Sequence, residues 1–160
     1  MIDLQELHRL FDSNGLTLAL AESCTAGLAA ARIGDQPGCS AWFRGGVVAY
    51  HNEVKQQLLG VSPELLQQHG AVSEAVARAM ATGVRGACQS DLGLAITGIA
   101  GPDGGTTDKP VGTVYLALAD SAGSEAIRCQ FSGNRASVRQ QAVEQGFLML
   151  KIRLMVSETA

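Results

Sequence analysis

Four short segments of this 160-residue sequence carry side chains suited to chemistry, each where a regular element is expected to begin or end. The first is Ala21-Glu22-Ser23-Cys24-Thr25-Ala26-Gly27, between an apolar run and an alanine-rich stretch. A hydroxyl at such a strand-to-helix junction sits at the carboxyl edge of a sheet, where α/β proteins place their sites, and first-turn N–H groups of the helix can stabilise a developing oxyanion. Ser23 is therefore a candidate nucleophile, although on local pattern alone Ser23 or Thr25 as a simple helix cap is the favoured account. Cys24 is the rival nucleophile, but no histidine occupies an activating position beside it, and a packed thiol is the simpler reading.

The second segment is Tyr50-His51-Asn52-Glu53-Val54-Lys55. The chain has only three lysines against nine arginines, so a lysine in a polar cluster is informative. A desolvated ammonium loses its proton more easily, and a neutral Lys55 near Ser23 can take the hydroxyl proton, with Tyr50 relaying or orienting it. A solvated helix start explains the same residues, and His51 reads as polar surface. The third segment, 96–107, places Gly98, Gly101, Gly104 and Gly105 with Pro102 in eight residues after a strand. Such a loop lets backbone N–H groups approach a carboxamide or phosphate closely, with Thr97 at the strand tip supplying a side chain. It is neither a Walker A loop nor a dinucleotide fingerprint. A long flexible connection is the alternative. The fourth segment opens a helix with Arg135 and Arg139, four apart and so on one face. Arginines at a helix start are unfavourable unless an anion compensates them, which suits a phosphate. Internal carboxylates could do the same.

The elements that must position these groups follow from periodicity. Leu4, Leu7, Leu10 and Phe11 predict a helix that stops at Asn14-Gly15. Strands are expected over 16–21, 46–50, 92–97, 111–119 and 125–131, the last two as a hairpin. Helices are expected from Thr25 to Gly34, over 52–59 and 63–68, after the cap Ser73, and over 134–154. Strands interleaved with helices predict an α/β fold, a three-layer α/β/α sandwich around a mixed sheet, as a single domain over 1–160. Hydrophobic residues at 46% and charged ones at 17% are those of a packed globular protein.

Composition also excludes partners. A formal charge of −3 gives no basic field for a nucleic-acid backbone. No apolar run approaches the roughly 20 residues of a membrane span, so no membrane is expected as partner. The N-terminus lacks the basic start of a secretory signal, so a cytoplasmic location is expected. Cys24, Cys39, Cys88 and Cys129 form no CxxC pair and no metal-ligand spacing with histidine, which predicts reduced thiols and no metal.

Taken together and in order, AESCTAG at 21–27, GGVVAYHNEVK at 45–55, HGAVSEAVA at 69–77, ITGIAGPDGGTTDKPVGTVYLAL at 96–118 and FSGNRASVR at 131–139 resemble the CinA C-terminal domain family over nearly the whole chain. That family includes nicotinamide-nucleotide amidohydrolases, which convert nicotinamide mononucleotide to nicotinate mononucleotide and ammonia in pyridine-nucleotide salvage. The resemblance implies Ser23 as nucleophile, Lys55 as base and Tyr50 as their positioning partner, and it places Thr97 and Arg135 near the substrate; together with the loop and helix-start readings, the expected substrate contacts are Thr25, Thr97, Gly98, Gly101, Gly104, Gly105, Arg135 and Arg139. It implies no cofactor and no metal, a small nucleotide substrate and a homo-oligomer. With nothing preceding the domain in this sequence, the stand-alone form is the expected one, and a pyrophosphatase activity of longer relatives is not transferred. The departure is Ala26, where the family pattern has a second glycine, and a methyl there would be expected to crowd a backbone approach to substrate. The rival readings are a nucleotide-binding module without turnover, an amidase for another small carboxamide, and a structural role in competence or damage responses.

Overall fold

In the computed structural model, which describes residues 1–158, the elements run α1 (Leu4–Asn14), β1 (Leu18–Glu22), α2 (Leu28–Gly34), β2 (Phe43–Val48), α3 (Asn52–Leu59), α4 (Pro63–His69), α5 (Glu74–Cys88), β3 (Leu92–Gly98), β4 (Thr113–Ala119), β5 (Ser124–Gln130) and α6 (Arg135–Glu158). A single 3₁₀ turn, Cys39–Ala41, leads into β2. The five strands form one sheet in the order β2-β1-β3-β4-β5. β1 is parallel to β2 and β3, whereas β3, β4 and β5 are successively antiparallel, so the sheet is mixed as expected.

Alternation along the central strands builds two unlike faces. Leu18, Leu20, Leu92, Leu94, Ile96, Leu116 and Leu118 point into a bulky core closed by residues of α1, α2 and α6, including Phe11, Ile33, Val143 and Phe147. The opposite face carries Ala19, Ala21, Ala95, Ala117 and Ala119, against which α5 lays Val76, Ala77, Met80, Ala81 and Val84. Small side chains bring α5 close to the strands: a Cβ at Gly93 would fall on the carbonyl oxygen of Ala81, and one at Gly83 on that of Leu59 in α3. The second contact fixes α3 against α5, and α3 carries Lys55. Helices on both faces make the three-layer α/β/α sandwich.

Element types agree with the sequence reading, and the boundaries differ for physical reasons. The second strand runs Phe43–Val48 and not over 46–50, because its ends follow its parallel register with β1, Leu18↔Phe43 through Glu22↔Val48. The helix expected from Thr25 starts at Leu28, since Ala26 (φ 50°) and Gly27 (φ 92°) take left-handed backbone conformations that no right-handed helix admits. The last helix continues past 154 to Glu158. β1 has β2 on one side and β3 on the other, so the sheet's switch point lies at the carboxyl ends of β1 and β3, the crevice where open α/β sheets bind ligands.

Candidate active site

Ser23 follows directly on β1. Its N–H donates to the Ile96 carbonyl of β3 (2.9 Å), and its carbonyl accepts from the Ala26 N–H (3.0 Å), closing a tight turn. The buried Glu22 carboxylate accepts from Gly27 N (3.1 Å), Ala29 N (3.1 Å) and Ala30 N (2.8 Å). The first-turn donors expected to face an oxyanion are therefore turned inward onto Glu22, and the expectation that this helix start serves a substrate is corrected. Its amides are satisfied by a carboxylate from the strand because an N-terminus carries free donors and a partial positive charge.

Lys55, on the first turns of α3, is 1% exposed. Its Nζ lies 3.1 Å from Ser23 Oγ, 2.9 Å from the Ala49 carbonyl oxygen and 3.3 Å from that of Tyr50. No carboxylate among the described residues forms an ion pair with it. Burial without a counter-ion holds its amine below the ordinary lysine range, opposed only by the neighbouring Cys24. Nζ is thus within donor distance of three oxygens, the number that an ammonium serves; once it loses a proton, the two carbonyls can keep the two remaining hydrogens and leave a lone pair for the serine hydroxyl. Burial pushes the Cys24 thiol up to about 11, partly countered by its own backbone N–H and by Arg139. A thiol so raised is a poor nucleophile near neutral pH.

These groups open into a cleft of about 280 Å³ lined by Ser23, Lys55, Thr97, Gly98, Gly101 and Arg135, among others. The 99–112 loop on its far side is tied down: Ile99 N donates to Thr113 O (2.9 Å), Gly112 N to Ile99 O (2.7 Å), and Lys109 Nζ to His69 O (2.8 Å). Arg135 joins this loop to the second segment, donating from Nη1 to Gly101 O (2.7 Å) and from Nη2 to Tyr50 Oη (2.7 Å). The Tyr50 ring is thus at the exposed rim and not on the Ser23–Lys55 pair; what Tyr50 gives Lys55 is its backbone carbonyl. Thr97 is buried, lines the cleft and donates to Ala71 O (2.9 Å).

Of the expected substrate contacts, Thr97, Gly98, Gly101, Gly104 and Arg135 line the cleft, whereas Thr25, Gly105 and Arg139 do not. Thr25 is fully buried, its hydroxyl without a hydrogen-bond partner. Gly105 backs onto Val111. Arg139 donates from Nε to Cys24 O (3.1 Å) and from Nη2 to Thr25 O (2.7 Å). The shared helix face did bring both arginines to this edge of the sheet, where each found carbonyl partners. Two residues were quoted within motifs without being singled out. Asp103 lines the cleft, and Glu22 holds the turn that carries Ser23. An acid ending an apolar strand just before a helix start was the available signal for Glu22.

Residues 3–154 match the family described as the CinA C-terminal domain. A "CinA-like protein" of Geobacter sulfurreducens is 56% identical over 149 residues, covering 93% of this chain and 36% of that protein. The chain thus spans about a third of the length of the curated relatives it matches. Among solved structures, a CinA superfamily protein from Klebsiella pneumoniae superposes with a TM-score of 0.92 at 36% identity, over 95% of each chain. A competence/damage-inducible protein from Agrobacterium tumefaciens gives 0.89 at 36% identity, over 94% of each.

Proposed function

Because the chain belongs to the CinA C-terminal domain family, we propose that it is a serine amidohydrolase that deamidates nicotinamide mononucleotide to nicotinate mononucleotide and ammonia. The observation that carries this reading is the buried, counter-ion-free Lys55 amine 3.1 Å from Ser23 Oγ. Ser23 Oγ attacks the carboxamide carbon while its proton passes to the Lys55 lone pair. The ammonium so formed is a positive charge beside the tetrahedral oxyanion, and it returns the proton to the leaving nitrogen as ammonia departs. Water then attacks the acyl-serine, with Lys55 taking its proton, and nicotinate mononucleotide leaves as Ser23 is regenerated. Arg135 at the cleft rim offers a planar cation suited to the phosphate. In this reading the protein serves pyridine-nucleotide salvage.

The test is ammonia release from nicotinamide mononucleotide by the intact protein beside Ser23→Ala and Lys55→Ala, each shown to be folded by circular dichroism. Turnover by the intact protein and its loss in both variants is the expected result. Binding of the nucleotide without ammonia release would replace the enzyme with a nucleotide-binding module.

A further inference from the structure

The turn that carries Ser23 is held from both ends by side chains of opposite charge that do not line the cleft. Glu22 accepts from the three amides of Gly27, Ala29 and Ala30, using both carboxylate oxygens. From α6, Arg139 donates to the two carbonyls of Cys24 and Thr25. Peptide units are planar, so these bonds hold the planes of the Cys24–Thr25 and Thr25–Ala26 peptides immediately after the serine and limit how far the turn can shift. The serine's own N–H and carbonyl are bonded within the same frame, to Ile96 and Ala26. Tight fixing has a chemical use here, because Lys55 is itself held by two carbonyls and cannot follow a serine that drifts. Effective general-base geometry tolerates little displacement, and a misplacement of about 1 Å can cost on the order of 10²-fold in rate.

We propose that Glu22 and Arg139 are positioning residues that together keep Ser23 Oγ on the Lys55 lone pair, and that Arg139 acts on the turn and not on the substrate phosphate. This rests on Ser23 being the nucleophile, and its test reads that nucleophile without the substrate. A fluorophosphonate reports Ser23 reactivity directly: Oγ bonds to phosphorus, fluoride leaves, and the hydroxyl proton goes to Lys55. Glu22→Gln replaces an acceptor oxygen with a donor facing a backbone N–H. Arg139→Gln removes the fork, and Arg139→Lys offers one compact ammonium where two carbonyls need two donors.

The experiment measures the Ser23 labelling rate across pH, together with kcat and KM for nicotinamide mononucleotide and for the unphosphorylated riboside. Glu22→Gln and Arg139→Gln are expected to slow labelling and kcat by about 10²-fold, equally for both substrates, with KM within about twofold. Arg139→Lys should recover part of the loss. The pH midpoint of labelling, set by Lys55, should stay where it is in the intact protein. Labelling at the intact rate in the folded variants would overturn the clamp. So would an Arg139→Gln defect confined to KM for the phosphorylated substrate, which would make Arg139 a phosphate ligand. If the intact protein labels yet releases no ammonia, the amidase reading falls, and slowed labelling in the variants still upholds the clamp. If Glu22→Gln does not fold, the two Arg139 variants decide the matter.

Discussion

Replacing Ala26 with glycine should stabilise the protein without changing what it binds. Ala26 has φ 50°, one of two non-glycine residues among those described with positive φ. An L-residue in this region carries a steric cost of roughly 1–2 kcal/mol, from Cβ against the carbonyl that follows. Glycine removes that cost and adds about 0.5–1 kcal/mol of backbone entropy to be lost on folding. The Ala26 methyl is exposed, so its removal sacrifices no core contact. The balance is a gain of about 0.5–1 kcal/mol, which for a domain of this size raises Tm by roughly 1–4 °C. The assay is thermal unfolding together with a urea titration, in which the midpoint should rise at constant m. KM for nicotinamide mononucleotide should not move, because Ala26 lies outside the cleft lining. A lowered Tm would refute the strain argument. A large fall in KM would instead show that the methyl crowds the substrate, as the sequence alone suggested.

Four further outcomes are expected. Lys55→Met should cost about 10²–10⁴-fold in kcat while the chain stays folded; in the intact protein kcat/KM should rise with pH through the lowered Lys55 value and then level, since only the neutral amine accepts the Ser23 proton. Stability should rise with pH over the window between that lowered value and the ordinary lysine value, where the unfolded chain binds more protons than the folded one, and urea titrations should show that slope disappear in Lys55→Met. Asp103 lines the cleft and enters no ion pair among the described residues, so Asp103→Asn should raise KM for the cationic pyridinium nucleotide by up to about fivefold, an exposed charge pair being worth about 0.2–1 kcal/mol; an equal effect on a neutral carboxamide substrate would contradict a charge role. Gly83→Ala would drive a methyl into the Leu59 carbonyl and should cost about 1–3 kcal/mol of stability in urea titrations, and an unchanged midpoint would show that α3 gives way freely.

Some of this was fixed by local order along the chain. Apolar periodicity located every helix and strand type, because side-chain spacing of 3.6 or 2 residues is a property of neighbours in sequence. The strand-to-helix junction at Ser23 and the glycine-rich block after β3 were legible for the same reason, as was the departure at Ala26, though its cause was not. What the tertiary structure decided were the partners. Lys55 lies 32 residues from Ser23 in sequence and meets it only because α3 is pressed onto α5 beside β1. Its lowered pKa comes from burial, which no local pattern reports. Arg139 stands 115 and 114 residues from the carbonyls it holds, so its shared face with Arg135 could suggest an anion but could not reveal that backbone acceptors already occupied it. Helix starts carry donors that must be satisfied, and whether a carboxylate of the fold or a substrate does so depends on which chains pack around them. Here Glu22 does, five to eight residues before the amides it caps: its position was legible along the chain, and only the packing of the turn against β3 and α6 decided that its carboxylate faces those amides.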